Sequence, residues 1–487
     1  MSTLTSYLKG GVAASYLKGG FATTANVVAY AATNGHYILL EGRRHGRTFR
    51  NWALRFAQNP RRYALPTTSA QIIEAVQRPG RLRVVGSGHS FNDGIVTDDT
   101  LMSLDDYSGL VRIDLENRQL TFRAGTRVRN AVAIMLQHGL AFKALPSHDA
   151  QSLGGILSTD VHGTGRDWGF VSESVVGLTV VDGTGQVHHC GPTDDLFRAA
   201  IGGVGAVGII TEVIVQGVPK FAIDQRTSMA EVAWVRGHLD ELIAQHDHVS
   251  LYVFPYAEHC QVNTWDRTTA DKTRGGELKE FVNISLDAVL AAWVGNFLAY
   301  ARLLPLARHW SRLAYLIKRG TQLVLESNDA HSRTMYHLHQ ELEFTVEFDQ
   351  VFEVCDRLLA LYAELYSSGL PYLLLEVRFT PDGHDSTLLG AGQQRRCAWI
   401  DLICNDSKGF ETYYAAAVEL VKSVGGRPHL GKYTDGFDAS YLAELYGPNY
   451  QRFLQLIAQH DPDGKFANAF TRRMFGAPVA VAGEHAA

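Results

Sequence analysis

Residues 83–93 read RVVGSGHSFND. Val84 and Val85 end the stretch RLRVV, residues 81–85, which reads as a short buried strand. Gly86 and Gly88 then flank Ser87, so the chain turns on two residues that lack a Cβ. Successive backbone N–H groups in such a turn form a concave nest for phosphate. His89 is the anomaly, because a phosphate loop favours bare backbone and this one presents a bulky, titratable ring.

Working outward, the same texture continues on both sides. Upstream, Pro66 is followed by Thr67, Thr68 and Ser69, and then by apolar Ile72, Ile73 and Val76, which predicts a capped amphipathic helix. Downstream, LVRIDLENRQLTFRAG reads as a hairpin turning at Glu116-Asn117, and RVRNAVAIMLQHGL as a helix. SVVGLTVVDGTGQVHHC is a second hairpin, with Asp182-Gly183 at its turn. Beyond a boundary near Val218-Pro219 the elements lengthen. VSLYVFPY, YLLLEVRFT and CAWIDLIC read as strands; QVFEVCDRLLALYAELY and FETYYAAAVELVKSV read as helices. The fold class is α+β.

A chain of 487 residues exceeds what one core usually serves, so two domains are expected. Composition is that of a soluble globular protein, 46% hydrophobic and 20% charged. The net charge of −5 gives no electrostatic case for nucleic acid. Cys190, Cys260, Cys355, Cys397 and Cys404 are scattered without a CxxC pair, as in a reducing compartment. The start, MSTLTSYLKGG, shows no secretory signal pattern, and the expected address is cytoplasmic. Residues 6–11 and 15–20 repeat SYLKGG, read as part of an accessory arm.

No run of 18 apolar residues predicts a membrane span. Residues 288–320 come nearest, with Arg302, Arg308, Arg312, Lys318 and Arg319 and no acid among Trp, Leu and Tyr. Such a stretch either packs on the protein's own core or lies on an anionic membrane surface.

GVGAVG, residues 203–208, matches GxGxxG in letters alone. A dinucleotide fingerprint needs a strand before it and a helix after it, whereas here a helix precedes and IITEVIV, a strand, follows. SLGGILSTDVHGTG, residues 152–165, is a second loop of small and hydroxyl residues suited to close approach of a ligand. His89 and His162 have no metal-ligand spacing around them, and no metal is expected. His188-His189 reads as exposed polar surface. In LLLEVRFT, strand alternation puts Glu376 and Arg378 on one face and Val377 on the other. Charged residues on an apolar strand are costly unless paired or serving a site. GGRPHLGK gathers Arg427, His429 and Lys432 within six residues.

Together these motifs resemble the vanillyl-alcohol oxidase family, flavoproteins with a p-cresol-methylhydroxylase-type FAD domain. Within it the likeness is to the sugar-1,4-lactone oxidase and alditol oxidase branch. It runs from about residue 50 to residue 475 through NWA…YALPTT, VVGSGHSFND, STDVHGTG, GAVGIITEV, LEVRFT, GGRPHLGK and DPDGKFAN. The resemblance implies a two-subdomain FAD-binding domain over 50–218. A substrate (cap) domain with an antiparallel sheet would cover 219–430, carrying the helical insert 288–320. Residues 431–475 would return to the FAD domain; 1–49 would be an extension and 476–487 a tail.

It also implies the site. His89 takes the place of the histidine bonded to the 8α-methyl carbon of the flavin, and with no cysteine near residues 152–165 a single covalent link is implied. Val85, Gly86, Ser87, Gly88, Ser90, Phe91, Ser152, Gly155, Ser158, His162, Gly163, Thr164 and Ile210 would line the FAD cleft. Glu376, Arg378 and Lys432 would meet a polyol or lactone whose carbon delivers hydride to flavin N5, with Asp401 and His429 nearby. Asp401 departs from the His or Asn of related oxidases and leaves the exact sugar open. Oxygen, giving peroxide, is the expected acceptor. A dye- or quinone-linked dehydrogenase, an oxidase of a membrane-associated lipid or sterol-like alcohol, and a non-catalytic flavin- or carbohydrate-binding protein stay open as alternatives.

Overall fold

Short β-branched runs punctuated by glycine fold as three principal sheets in the computed structural model, which describes residues 42–286, 294–313, 320–331, 339–382, 384–404 and 409–476. The SYLKGG doublet and parts of 288–320 lie outside the described residues. Strands β1 (Arg62–Ala64), β2 (Leu82–Val85) and β3 (Thr100–Ser103) form a parallel sheet in the order β1-β3-β2. Helix α1 (Ser69–Gln77) connects β1 to β2, and its N-cap is Thr68, whose side chain accepts from the Gln71 amide. The glycine loop leaves the C-terminal end of β2, the end at which parallel strands present ligand-binding loops.

The second sheet is antiparallel. It holds β4 (Leu110–Asp114), β5 (Gln119–Arg123), β6 (Val175–Val181), β7 (Val187–Cys190) and β8 (Ile209–Gln216), in the order β7-β6-β8-β5-β4. Helices α2 (Val128–Gln137) and α3 (Leu153–Ser158) fall between β5 and β6. GVGAVG sits between a helix ending at Ala200 and β8, the reverse of a dinucleotide fingerprint. Gly203 serves packing, since a Cβ there would stand 2.0 Å from the Ala199 carbonyl oxygen, whereas Gly205 and Gly208 line the cavity described below.

The third sheet has eight antiparallel strands. These are β9 (Ala222–Glu231), β10 (His248–Val253), β11 (His259–Thr268), β12 (Thr321–Glu326), β13 (Gln340–Glu347), β14 (Leu373–Phe379), β15 (Cys397–Cys404) and β16 (Arg427–Pro428). Their order is β12-β9-β11-β10-β14-β15-β13-β16. Alternation sorts the two faces. Leu342, Phe344, Leu375, Val377, Ile400 and Leu402 point to one side and are fully buried. Helices α4 (Val351–Leu365) and α5 (Glu411–Ser423) belong to the same core, with Leu358, Tyr413 and Tyr414 inaccessible. Each such Leu or Val contributes about 1.5–3 kcal/mol by leaving water. The opposite face carries Glu341, Glu343, Glu376, Arg378 and Asp401, and they too are buried.

Beyond residue 430 the chain packs against the β2 loop. The Phe91 amide donates to the Gly431 carbonyl at 3.0 Å and the Leu82 amide to the Lys465 carbonyl at 2.8 Å. Arg83, 4% exposed, donates to the Val204 and Phe466 carbonyls at 2.7 Å each. Asn468 Nδ2 donates to the Gly94 and Val96 carbonyls at 3.0 Å. All five cysteines are buried as thiols.

Candidate active site

The loop after β2, the loop around α3 and the polar face of the third sheet enclose one cavity. Val85, Gly86, Ser87, Gly88, His89, Ser90 and Phe91 line it, together with Ser152, Gly155, Ser158, His162 and Ile210. Glu376, Arg378, Asp401, His429 and Lys432 line it as well. Gly163 and Thr164 do not. Thr164 is a buried strut: its hydroxyl donates to the Val249 carbonyl, and the Phe379 amide donates to that hydroxyl at 3.1 Å. Arg427 also turns away, donating to the Gln393 carbonyl at 2.7 Å.

The glycines are there for close approach. A Cβ on Gly86 would stand 2.1 Å from Ser152 Oγ, and one on Gly155 3.0 Å from the same atom. Gly88 has φ +69°, a conformation that disfavours side chains, and a Cβ there would meet Gly42 Cα at 2.9 Å. The missing side chains thus let the loops pack closely where they line the cavity, and backbone at such a wall suits a diphosphate. His89 follows on the same wall, stacked on Trp52 with centroids 5.1 Å apart and tilted against His148 at 5.4 Å. Burial pushes His148 down to about 3, so that ring is neutral.

Strand register builds the other end. Tyr252, Glu376, Asp401 and Glu343 form one row across β10, β14, β15 and β13. Like charges facing across neighbouring strands repel, and two cations meet that cost. Arg378 ion-pairs with Glu343 and comes within 3.5 Å of Asp401 Oδ2. Lys432 ion-pairs with Glu341 and lies 3.4 Å from Asp401 Oδ2 and 3.6 Å from Glu343 Oε2. His162 Nε2 lies 3.1 Å from Glu343 Oε1, and its Nδ1 lies 2.8 Å from the Gly163 carbonyl oxygen. Its ring stacks on Trp399 at 3.6 Å.

These contacts set the charges. Burial raises the Glu343 carboxyl, but Arg378, Lys432 and His162 outweigh it and hold the group well below the usual range. Burial likewise raises Glu341, and Lys432 and His339 reverse the effect. Desolvation lowers Arg378, yet Glu343, Glu376 and Asp401 drive it above its ordinary value; Asp401, Glu341 and Glu343 do the same for Lys432. Asp401 goes the other way: burial, followed by the Glu341 charge, lifts it well above the carboxylate range despite Lys432 and Arg378. Burial pushes His429 down to about 3.

Glu341, Glu343, His339, His148 and Trp52 also line the cavity and escaped the sequence reading. The alternation in ELEFTV, residues 341–346, was the available signal for the two glutamates. His162, Glu343 and His429 offer ligand atoms within 4.8 Å of one another, as do Asp182, His188 and His460. His188 is not free polar surface: half-buried, its Nε2 hydrogen-bonds Asp182 Oδ2 at 2.7 Å.

The D-arabinono-1,4-lactone oxidase family model matches residues 213–474, and an FAD binding domain model matches residues 60–191. The chain is 28% identical to an L-gulono-1,4-lactone dehydrogenase of Mycobacterium tuberculosis, covering 88% of this chain and 98% of that protein. It is 26% identical to an L-gulonolactone oxidase of Bos taurus, with 88% and 98% covered. A D-arabinono-1,4-lactone oxidase of Candida glabrata is 31% identical over 48% of this chain and 46% of its own length. Among solved structures, a solvent-stable cholesterol oxidase superposes with TM-score 0.71 at 15% identity, over 88% of this chain and 97% of that one. At that identity the match speaks for the fold alone.

Proposed function

The chain belongs to the D-arabinono-1,4-lactone oxidase family and is an FAD-dependent oxidoreductase acting on CH–OH groups; we propose that its substrate is an aldono-1,4-lactone and that oxygen takes the electrons. The observation that supports this best is the pairing, within one cavity, of a bare-backbone cradle with two carboxylate-clamped cations. FAD, when bound, supplies the hydride acceptor. The loops at Gly86–Gly88 and Ser152–Gly155 would hold its diphosphate, and His89 would carry the flavin through a covalent link.

Arg378 and Lys432 then face the sugar. Their clamps, Glu343 and Glu341, cannot rotate away without leaving buried charge unpaired, so both cations are fixed before substrate arrives. Fixed positive charge in a dry cavity stabilises the alkoxide character that the hydroxyl oxygen takes on as it gives up its proton, while its carbon gives up hydride. Glu376 and Tyr252, from the same row, offer hydrogen bonds to substrate hydroxyls. Peroxide formation and dye reduction, followed in parallel with an aldonolactone, test the acceptor. Turnover with dye but no peroxide would replace oxygen by another acceptor.

We further infer that the helical insert touches an anionic membrane surface. Among its described residues, Phe297, Leu303, Leu306 and Leu313 are 37–56% exposed beside Arg302, Arg308 and Arg312. No helix among the described residues is long and apolar enough to cross a membrane. Co-sedimentation with phosphatidylserine vesicles, weakened by a Leu306→Asp, Phe297→Asp double variant, is the expected result. Equal pelleting of both proteins would reject this contact.

A further inference from the structure

Four carboxylates, Glu341, Glu343, Glu376 and Asp401, share the substrate end of the cavity with two cations. The short ion pairs already match Arg378 with Glu343 and Lys432 with Glu341. Asp401 therefore meets cations whose charge is engaged elsewhere, at 3.4 and 3.5 Å, and its strand neighbours on both sides, Glu376 and Glu343, are acids. Both cations approach the same oxygen, Oδ2. Oδ1 is buried without a hydrogen-bond partner among the described residues, on a side chain 2% exposed that lines the cavity.

We propose that Asp401 works as a neutral carboxylic acid that reads the lactone: Oδ2 accepts from Lys432 and faces Arg378, while Oδ1–H donates to the carbonyl oxygen of the bound ring. This rests on the aldonolactone reading above and adds the residue that tells a lactone from an open-chain polyol. A carboxylate at this position would present only acceptors to a carbonyl oxygen that is itself an acceptor. The proton reverses that mismatch, and a carboxylic acid kept neutral by its surroundings is an established donor in enzyme sites. The raised titration of Asp401 agrees with the geometry. The groups facing it are Glu376 and Arg378 on β14, Glu341 and Glu343 on β13, Lys432 and His429 on the following loop, and His148 and His162 from the FAD side.

The test compares Asp401→Asn, which keeps an N–H donor, with Asp401→Ala, which has none, on an aldono-1,4-lactone and on an alditol of the same carbon count. One lost hydrogen bond to a buried partner corresponds to about a 10-fold change. The expected result is a rise of about 10-fold or more in lactone KM for D401A and of less than about 3-fold for D401N. The alditol KM should move much less than the lactone KM in D401A. Wild-type kcat/KM for the lactone should fall as pH rises through the Asp401 titration, a limb missing from D401N. Flavin content and melting temperature of each variant separate misfolding from lost recognition, and the wild-type pH profile needs no variant. If D401N loses as much as D401A, or lactone kcat/KM rises with pH over that limb, the neutral-acid role is overturned. If wild type oxidises no lactone at all, the failure lies with the proposed function instead.

Discussion

Arg378 and Glu343 form an ion pair across β15, with side chains 8% and 0% exposed. Neither strand neighbours the other: β15 lies between them, and the long arginine side chain spans it to reach the glutamate. Glu343→Gln removes the clamp while keeping its shape. Breaking a buried pair from one side typically costs about 3–5 kcal/mol. The expectation lies within that range, with a loss of lactone kcat/KM. Chemical denaturation and steady-state kinetics of E343Q check both.

Asp401 makes stability depend on pH in a definite direction. Its folded pKa is raised, so the folded state keeps a proton that the unfolded chain releases above about 3.9. Stability from this group is fully present below that value and is lost as pH rises towards the folded pKa. D401N removes the ionisation, so its stability relative to wild type should climb with pH above about 4. Melting curves across pH 4–8 measure the difference. A constant offset would show that Asp401 is ionised throughout.

We propose that His89 holds the flavin covalently. Acid precipitation of wild type should leave a yellow pellet, whereas His89→Ala should release its FAD to the supernatant. A colourless wild-type pellet refutes the covalent bond without touching the rest of the site.

Gly86→Ala tests the cradle. The added Cβ collides with Ser152 Oγ, the N-cap of α3, and pushes apart the two loops that line the cavity. Loss of a cap costs about 1 kcal/mol. The expected result is flavin affinity lower by about 10-fold, measured by titrating FAD into G86A in a His89→Ala background, where the flavin dissociates.

Much of this site was legible in short stretches of sequence, because those stretches obey local rules. RVVGSGHSFND shows its strand and its turn, and the alternation in LLLEVRFT places Glu376 and Arg378 on one face. Thr164 shows the limit: a hydroxyl beside glycines reads the same whether it faces a ligand or braces a neighbouring strand. Glu341 and Glu343 were hidden for a related reason, since acids alternating with apolar residues ordinarily mark a solvent-facing strand. The protonation of Asp401 arises from the register of three strands that no single segment contains. Trp52, His148 and His339 reach the cavity only through tertiary packing.

We propose that hydride passes from a lactone to FAD in this cavity, and anaerobic mixing tests that transfer without reference to any acceptor. An aldono-1,4-lactone added to the yellow holoenzyme under argon should bleach the flavin. Arg378→Ala, loaded with FAD to the same extent, should bleach at least about 100-fold more slowly, the loss typical of one removed charge-stabilising donor. A wild-type flavin that keeps its colour with every aldonolactone offered would rule out lactone as the hydride donor.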